Sequence, residues 1–251
     1  QWYFVLRHGR VGRCQAKNKI AQMKKYIVVT GGAGFVGSNL IEELLKISKK
    51  NIISLDNYSC GNKKNHIISK RVKYIKGNTV DVKKKLKKYE NNIHSLFHFG
   101  EFSRIYQSFE KFHNCFETNI DGSNRVFKFC LEKKIKLIYS ATSASFGKNG
   151  KNKNLSPYAF SKSKNLELLE NLKKWFNLKY EIIYFYNVYG PRQIKKGNMA
   201  TVIGIFEDQF INKKPLTVVS PGTQSRRFTH IDDTIKICIE AWKKNKCAHY
   251  S

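Results

Sequence analysis

An α/β fold built on a doubly wound parallel sheet is what this sequence predicts, and three observations carry the prediction. Ile27-Val28-Val29-Thr30 reads as an apolar strand that runs directly into glycines at 31, 34 and 37, with an amphipathic helix following at once. The next strand ends in an acid, Asp56, about twenty residues beyond the glycines. From there to Ser140, short β-rich runs alternate with helical ones, which implies right-handed crossovers and parallel pairing. Strand, glycine turn, helix and acid in that order make the fold Rossmann-type.

In chain order, residues 1–22 read as an extension outside the fold. Arg7, Arg10, Arg13, Lys17 and Lys19 make it basic, Gly9 and Gly12 interrupt any helix, and the apolar run 2–6 is too short for a signal-peptide core. Met23 opens onto the first strand. In the turn that follows, Gly31 permits the sharp bend, Gly34 lets the backbone approach a pyrophosphate, and Gly37 lets the helix pack closely on the strand. Phe35 and Val36 begin the helix, whose free N–H groups and positive dipole end face the anion. Leu40, Ile41, Leu44 and Leu45 form its apolar stripe, with Glu42 and Glu43 off it.

Residues 51–55 read as the second strand. Asp56 at its end suits an adenosine ribose, and an acid there repels a 2′-phosphate, so NAD is favoured over NADP. The alternative is that Asp56 merely opens the turn Asp56-Asn57-Tyr58-Ser59. Residues 71–75 are a third strand ending at Gly77-Asn78-Thr79. A lysine-rich helix leads to a fourth strand over 93–99, closing at Gly100. A mostly helical span over 119–131 precedes the fifth strand, 136–140.

The chemistry sits after that fifth strand. Residues 139–147 place several hydroxyls, among them Ser140, Thr142, Ser143 and Ser145, at the carboxyl end of a strand, where open α/β sheets bind ligands. Ser156-Pro157-Tyr158-Ala159-Phe160-Ser161-Lys162 then leads into a helix carrying Leu166, Leu168 and Leu169. Tyr158 and Lys162 are four apart, hence on one helical face. A phenol with a reference pKa near 10 is a poor base at neutral pH. A neighbouring ammonium, joined by a positively charged nicotinamide, favours its phenolate.

Composition excludes several other classes. No run of eighteen apolar residues exists to span a membrane. The formal net charge of +29 raises nucleic acid as a partner, but the lysines are spread over most of the chain with no arginine-rich arm. The expectation is no nucleic acid and no membrane, with a basic surface that attracts an anionic small substrate. The six cysteines are scattered, and His94, His98, His113 and His230 show no ligand spacing, so no metal is expected. Scattered cysteines read as reduced thiols of a cytoplasmic protein. Tyr184-Phe185-Tyr186 reads as a core strand.

The motifs T-G-G-A-G-F-V-G-S, the hydroxyl-rich strand end, S-P-Y-A-F-S-K and Y-F-Y-N-V-Y-G-P-R-Q together resemble the extended short-chain dehydrogenases/reductases. Within these the chain is most similar to the NAD-dependent nucleotide-sugar epimerase/dehydratase family, of the UDP-glucose 4-epimerase type. The resemblance runs from about Met23 to the end. It implies Thr142 as the catalytic hydroxyl, Tyr158 as the acid/base and Lys162 as its partner. It further implies Gly31, Gly34, Phe35, Val36, Gly37, Asp56, Asn57, Asn78, Thr79, Tyr158 and Lys162 around NAD. Thr142, Asn187 and Arg226 are implied for a UDP-sugar or other nucleotide-sugar substrate. A homodimer is expected.

Three departures stand out: the family has an acid where Asn78 stands, an acid where Arg227 stands, and a further C-terminal segment beyond Ser251. The expectation is therefore a Rossmann domain over 23–190 and a partial, C-terminally truncated substrate-binding lobe over 191–251, part of which returns to the first domain. The implied reaction is epimerisation at sugar C4 by transient oxidation. The alternatives are a nucleotide-sugar 4,6-dehydratase or decarboxylase, or a catalytically silent sugar-nucleotide-binding protein. Dehydratases and decarboxylases of the family carry acids immediately after the catalytic hydroxyl, where this chain has Ser143, Ala144 and Ser145.

Overall fold

The computed structural model describes residues 24–143 and 154–251. The expected extension and the positions Ala144 and Ser145 lie outside the described residues.

Strand β1 (Tyr26–Thr30) is followed by helix α1 (Phe35–Ile47), β2 (Asn51–Asp56), β3 (Val72–Lys76), the five-residue α2 (Val82–Leu86) and β4 (Ile93–His98). Two short helices, α3 (Gln107–Glu110) and α4 (Phe112–Phe116), pass through a π-helical segment at Glu117–Gly122 into α5 (Ser123–Glu132). Then come β5 (Lys136–Thr142), the long α6 (Pro157–Phe176), β6 (Tyr180–Phe185), β7 (Val188–Tyr189), α7 (Val202–Ile211), β8 (Thr229–His230), α8 (Ile231–Lys243) and β9 (His249–Tyr250).

Seven strands form one sheet in the order β3-β2-β1-β4-β5-β6-β9, and every pair is parallel. The order reverses between β1 and β4, so the chains leaving their carboxyl ends diverge and open a crevice there. Thr30 and His98, the last residues of those strands, are register partners. Both faces of the sheet are covered, which is why its strands read as near-continuous apolar runs. On one face Val28, Leu96, Leu137 and Ile182 pack with Phe127 of α5 and Leu169 of α6. On the other, Ile27, Val29, Phe97 and Ile183 pack with Leu40, Ile41 and Leu44 of α1 and with Ile235 and Cys238 of α8.

Local chemistry sets the start of α6. Ser156 is its N-cap and accepts the Ala159 amide at 3.1 Å, Pro157 occupies the first turn, and Asn177 closes the helix in the left-handed conformation. Cap and proline together place Tyr158 and Lys162 in the first two turns, beneath the end of β5. Residues 229–250 return to the sheet: α8 packs against α1, and β9 extends the sheet beside β6.

The structure adjusts three expectations. Strand β5 runs two residues further, to Thr142, because β6 pairs with it to that end while β4 pairs only as far as Tyr139. The lysine-rich helix is one short turn, α2, with Val82 and Leu86 as its buried residues. The helical span expected over 119–131 opens as the π segment and becomes α-helical at Ser123. Tyr184 lies in the core as expected, while Phe185 and Tyr186 are half-buried at the strand end.

Candidate active site

Two halves meet at the carboxyl edge of the sheet. The first is the glycine turn. Gly31 has a φ of +71°, and a Cβ there would sit 2.9 Å from the Gly100 nitrogen and the Phe99 oxygen. A Cβ on Gly37 would fall 2.2 Å from the Gly31 oxygen, so only glycine lets α1 come this close to the turn. Gly34 precedes the helix with no side-chain cap, which leaves the first-turn amides of Phe35 and Val36 available to an anion. Asp56 accepts the Ala33 amide through Oδ2 at 2.9 Å and the Tyr58 amide through Oδ1 at 2.8 Å. Asp56 thus opens the turn at 56–59, as one sequence reading had it, and also braces the glycine loop. Asn57 donates to the Asn78 side-chain oxygen at 2.8 Å, which brings those two expected residues together at the rim. Thr79 is buried beside Gly122, whose added Cβ would fall 2.2 Å from the Thr79 hydroxyl.

These features fit a dinucleotide. The loop is bare where a side chain would block it, its amides are uncapped, and a carboxylate stands at the end of the second strand.

The second half is catalytic in character. Thr142 ends β5, and its hydroxyl hydrogen-bonds the Tyr158 phenol from α6. Tyr158 is buried, and its pKa is pushed up to about 12, by burial first and by the nearby Glu101 charge next among the raising causes; the Thr142 hydrogen bond and Arg104 pull the other way. Lys162 is 3% exposed, and its ammonium donates to Glu101 Oε2 and to the Ser140 carbonyl while lying 4.4 Å from the Tyr139 ring centre. Burial lowers the Lys162 pKa and Glu101 opposes that shift. The charge of Lys162 is met by Glu101, and the phenol stands above its ordinary range.

Glu101 escaped the reading of the sequence. It lies in an irregular loop with no periodicity around it, yet a charged residue directly after the glycine that closes a parallel strand was the available signal. Its partners can be assigned by donor and acceptor capacity. Thr30 Oγ1 accepts the amides of Phe99 (3.1 Å) and Gly100 (3.0 Å), so its own proton points to His98 Nδ1 at 2.8 Å. His98, wholly buried with its pKa lowered to about 4, is then the neutral Nε2–H tautomer and donates to Ser123 Oγ at 3.0 Å. Ser123 in turn donates to Glu101 Oε1 at 2.8 Å, where Tyr139 (3.0 Å) and Asn165 (3.2 Å) also donate. Four donors, Lys162 among them, converge on the one Glu101 carboxyl group.

Of the three expected substrate residues, Thr142 belongs to this cluster, while Asn187 and Arg226 lie on later segments of the chain. Asn187, at a positive φ of 37°, donates to the Arg227 carbonyl at 2.8 Å and so holds the loop that carries Arg226. Arg226 is exposed and donates to its neighbour Ser225. Nearer the cluster, Arg104 donates to the Met199 carbonyl at 3.0 Å and Gln107 to that of Asn198, tying loop 198–199 to the segment after Glu101. Among the described residues, no group of three His, Cys, Asp or Glu could hold a metal, and no helix is long and apolar enough to cross a membrane.

A glycine-cradled parallel sheet with Thr142, Tyr158 and Lys162 beside its crevice is a fold of the short-chain dehydrogenase/reductase class. The chain belongs to the NAD dependent epimerase/dehydratase family, whose sequence model matches residues 27–250. It is 34% identical over 229 residues to an uncharacterized UDP-glucose epimerase of Bacillus subtilis, covering 84% of this chain and 70% of that one. A UDP-N-acetyl-alpha-D-glucosaminuronate decarboxylase of Bacillus cytotoxicus is 31% identical over 232 residues, covering 87% and 71%. The structure is similar to UDP-glucose 4-epimerase from Thermotoga maritima, solved with UDP-glucose, with a TM-score of 0.82 at 25% identity over 90% of this chain and 76% of that one. The cofactor of the family is NAD, and the class is that of nucleotide-sugar epimerases and dehydratases.

Proposed function

We propose that the protein is an NAD-dependent C4 epimerase of a nucleotide sugar, UDP-glucose 4-epimerase-like. The observation that carries this reading is the Thr142–Tyr158 hydrogen bond beside a carboxylate already saturated with donors. In this reading Gly31, Gly34, Phe35, Val36, Gly37, Asp56, Asn57, Asn78 and Thr79 hold NAD together with Tyr158 and Lys162. Bound there, the dinucleotide supplies a reversible two-electron oxidant for a sugar carbon. Tyr158 takes the proton of the C4 hydroxyl and gives it back, Thr142 bonds the same oxygen, and Lys162 holds positive charge next to the pair. Asn187 and Arg226 meet the diphosphate, and the basic surface draws the anionic substrate in.

Losing water or carbon dioxide from the keto sugar calls for an acid or base beyond Tyr158. Glu101 is an acid whose charge reaches Tyr158, and its oxygens are engaged by Lys162, Ser123, Tyr139 and Asn165. Epimerisation is then the outcome left to the intermediate. The kinship with a decarboxylase supports the second reading, decarboxylation or 4,6-dehydration. Incubation with UDP-glucose, UDP-glucuronate and dTDP-glucose, with products read by NMR, separates the two. Interconverted C4 epimers are expected. A 4-keto-6-deoxy sugar or released carbon dioxide overturns the assignment, and no conversion with NAD bound favours a silent binder.

We further propose a cytoplasmic homodimer, with residues 23–190 as the cofactor domain and 191–251 as the substrate region. Exposed Phe109 and Phe112, continuous with the rings of Phe116 and Phe160 on α4 and α6, offer an apolar face for a second copy. Sedimentation at micromolar concentration checks it, with a Phe112→Glu variant expected to be monomeric.

A further inference from the structure

We propose that Glu101 is a positioning residue for this reaction: it fixes the Lys162 ammonium at the end of β5 and supplies its counter-charge beside Tyr158. The inference rests on the epimerase reading only for the identity of the reaction. The geometry is independent of it.

Four side chains fix the Glu101 carboxylate. Oε2 faces Lys162 of α6, and Oε1 collects protons from Ser123 of α5, Tyr139 of β5 and Asn165 of α6. Behind Ser123 the chain of hydrogen bonds continues through His98 at the end of β4 to Thr30 at the end of β1. Thr30 immediately precedes the glycine turn. A single line of directed hydrogen bonds therefore joins the cradle to the catalytic lysine, and Glu101 is its only charged acceptor. The backbone beside Glu101 is fixed as well: Asn119 accepts the Phe102 amide at 2.7 Å and donates to the Phe102 carbonyl at 3.0 Å.

Buried charge makes this pairing consequential. Lys162 and Glu101 expose 4% and 3% of their side chains, so neither is screened by water. Tyr158 is faced by Thr142 of β5, Arg104 from the loop after β4, Cys115 of α4 and Glu101, with Lys162 one turn along its own helix. His98 is neutral there. Burial and the Glu101 charge both favour the protonated phenol, and Thr142 and Arg104 oppose them, so removing the Glu101 charge should ease ionisation.

The test uses the full chain without cofactor, labelled with ¹³C at tyrosine Cζ. The Tyr158 resonance is the one lost in Tyr158→Phe. Glu101→Gln is expected to make Tyr158 ionise about tenfold more readily, a midpoint lower by about one pH unit. With cofactor and sugar present, the acid limb of kcat should move down by the same amount, while KM for the sugar stays within about twofold. Glu101→Asp, which keeps the charge, should restore the limb. An unchanged Tyr158 titration in folded Glu101→Gln overturns the proposal, and it does so whatever sugar the enzyme acts on. A second measurement does not need that variant to fold. Lys162→Met strands the Glu101 carboxylate, so Lys162→Met/Glu101→Gln should melt above Lys162→Met alone. A double variant that melts at or below Lys162→Met also overturns it.

Discussion

Asp56 accepts the Ala33 amide at 2.9 Å, so the carboxylate that closes β2 also braces the glycine turn that follows β1. One residue thus serves two purposes that mutation cannot separate cleanly. In the proposed reading its charge meets the adenosine ribose and disfavours a 2′-phosphate, while its hydrogen bonds hold the glycine loop. We expect NAD to bind more tightly than NADP. Asp56→Ala should weaken both and narrow the gap, because NADP gains relief from repulsion as the loop loses its brace. The lost brace should appear as about 1–3 kcal/mol of stability. Isothermal titration showing NADP equal to NAD in the unaltered protein would remove the role assigned to Asp56.

The catalytic pair gives a sharper expectation. Tyr158→Phe removes the proton carrier and keeps the ring that fills the site under α3, so folding should be retained. Turnover should fall by roughly 10²- to 10⁴-fold. Thr142→Val should cost less, since Thr142 bonds the same oxygen without exchanging a proton. Turnover within about tenfold of the parent for Tyr158→Phe would move the acid/base role elsewhere.

Much of this was readable from the chain, for definite physical reasons. Glycines 31, 34 and 37 announce a turn, and at Gly31 and Gly37 no other residue fits because an added Cβ would strike backbone. Tyr158 and Lys162 are legible as a pair because the helix period puts them on one face and Ser156-Pro157 starts that helix. Glu101, His98, Ser123 and Thr30 were not legible as a unit. They come from the ends of two strands, a loop and a helix, and only the parallel register of β1 with β4 brings them together. Gly100 is a similar case. Its Cβ would stand 2.9 Å from the Gly31 nitrogen, a constraint that no local pattern around residue 100 expresses. The short α2 shows the limit of composition, since a run of lysines is a solvated surface whether or not it is helical.

His98 makes stability depend on pH in a predictable direction. Burial lowers its pKa from the ordinary 6.5 to about 4. Between those values the unfolded imidazole carries a proton that the folded one refuses, so the folded state is favoured above pH 6.5 and loses that advantage as pH falls towards 4. The full effect is about 3 kcal/mol. His98→Gln can still accept from Thr30 and donate towards Ser123 but does not titrate. The melting temperature of the parent should fall relative to this variant between pH 6.5 and 4. Parallel curves across that range would show that His98 is not the titrating group.

The return of the chain to the sheet hangs on another buried acid. Glu181 in β6 is wholly buried, and it accepts the amides of Lys246 at 2.9 Å and Ala248 at 3.0 Å and the Tyr250 hydroxyl at 3.1 Å. Lys136 of β5 lies 3.5 Å from the same carboxylate and donates to the carbonyls of Ala241, Trp242 and Lys244 at the end of α8. One ion pair therefore fixes both the last turn of α8 and the bend that leads into β9. Its positive member also sits at the negative end of the helix dipole. Glu181→Gln leaves Lys136 without its counter-charge and one side-chain oxygen short, for which about 3–5 kcal/mol is the usual scale. At this chain length that corresponds to a fall of roughly 10 °C in Tm. Hydrogen exchange should quicken first at the Ile182 amide, which donates to Ala248, and spare β1 and β4. Lys136→Met/Glu181→Leu, which removes both charges, should recover part of the loss. A Glu181→Gln protein that melts within about 1 kcal/mol of the parent would mean that β9 is held by its apolar contacts alone.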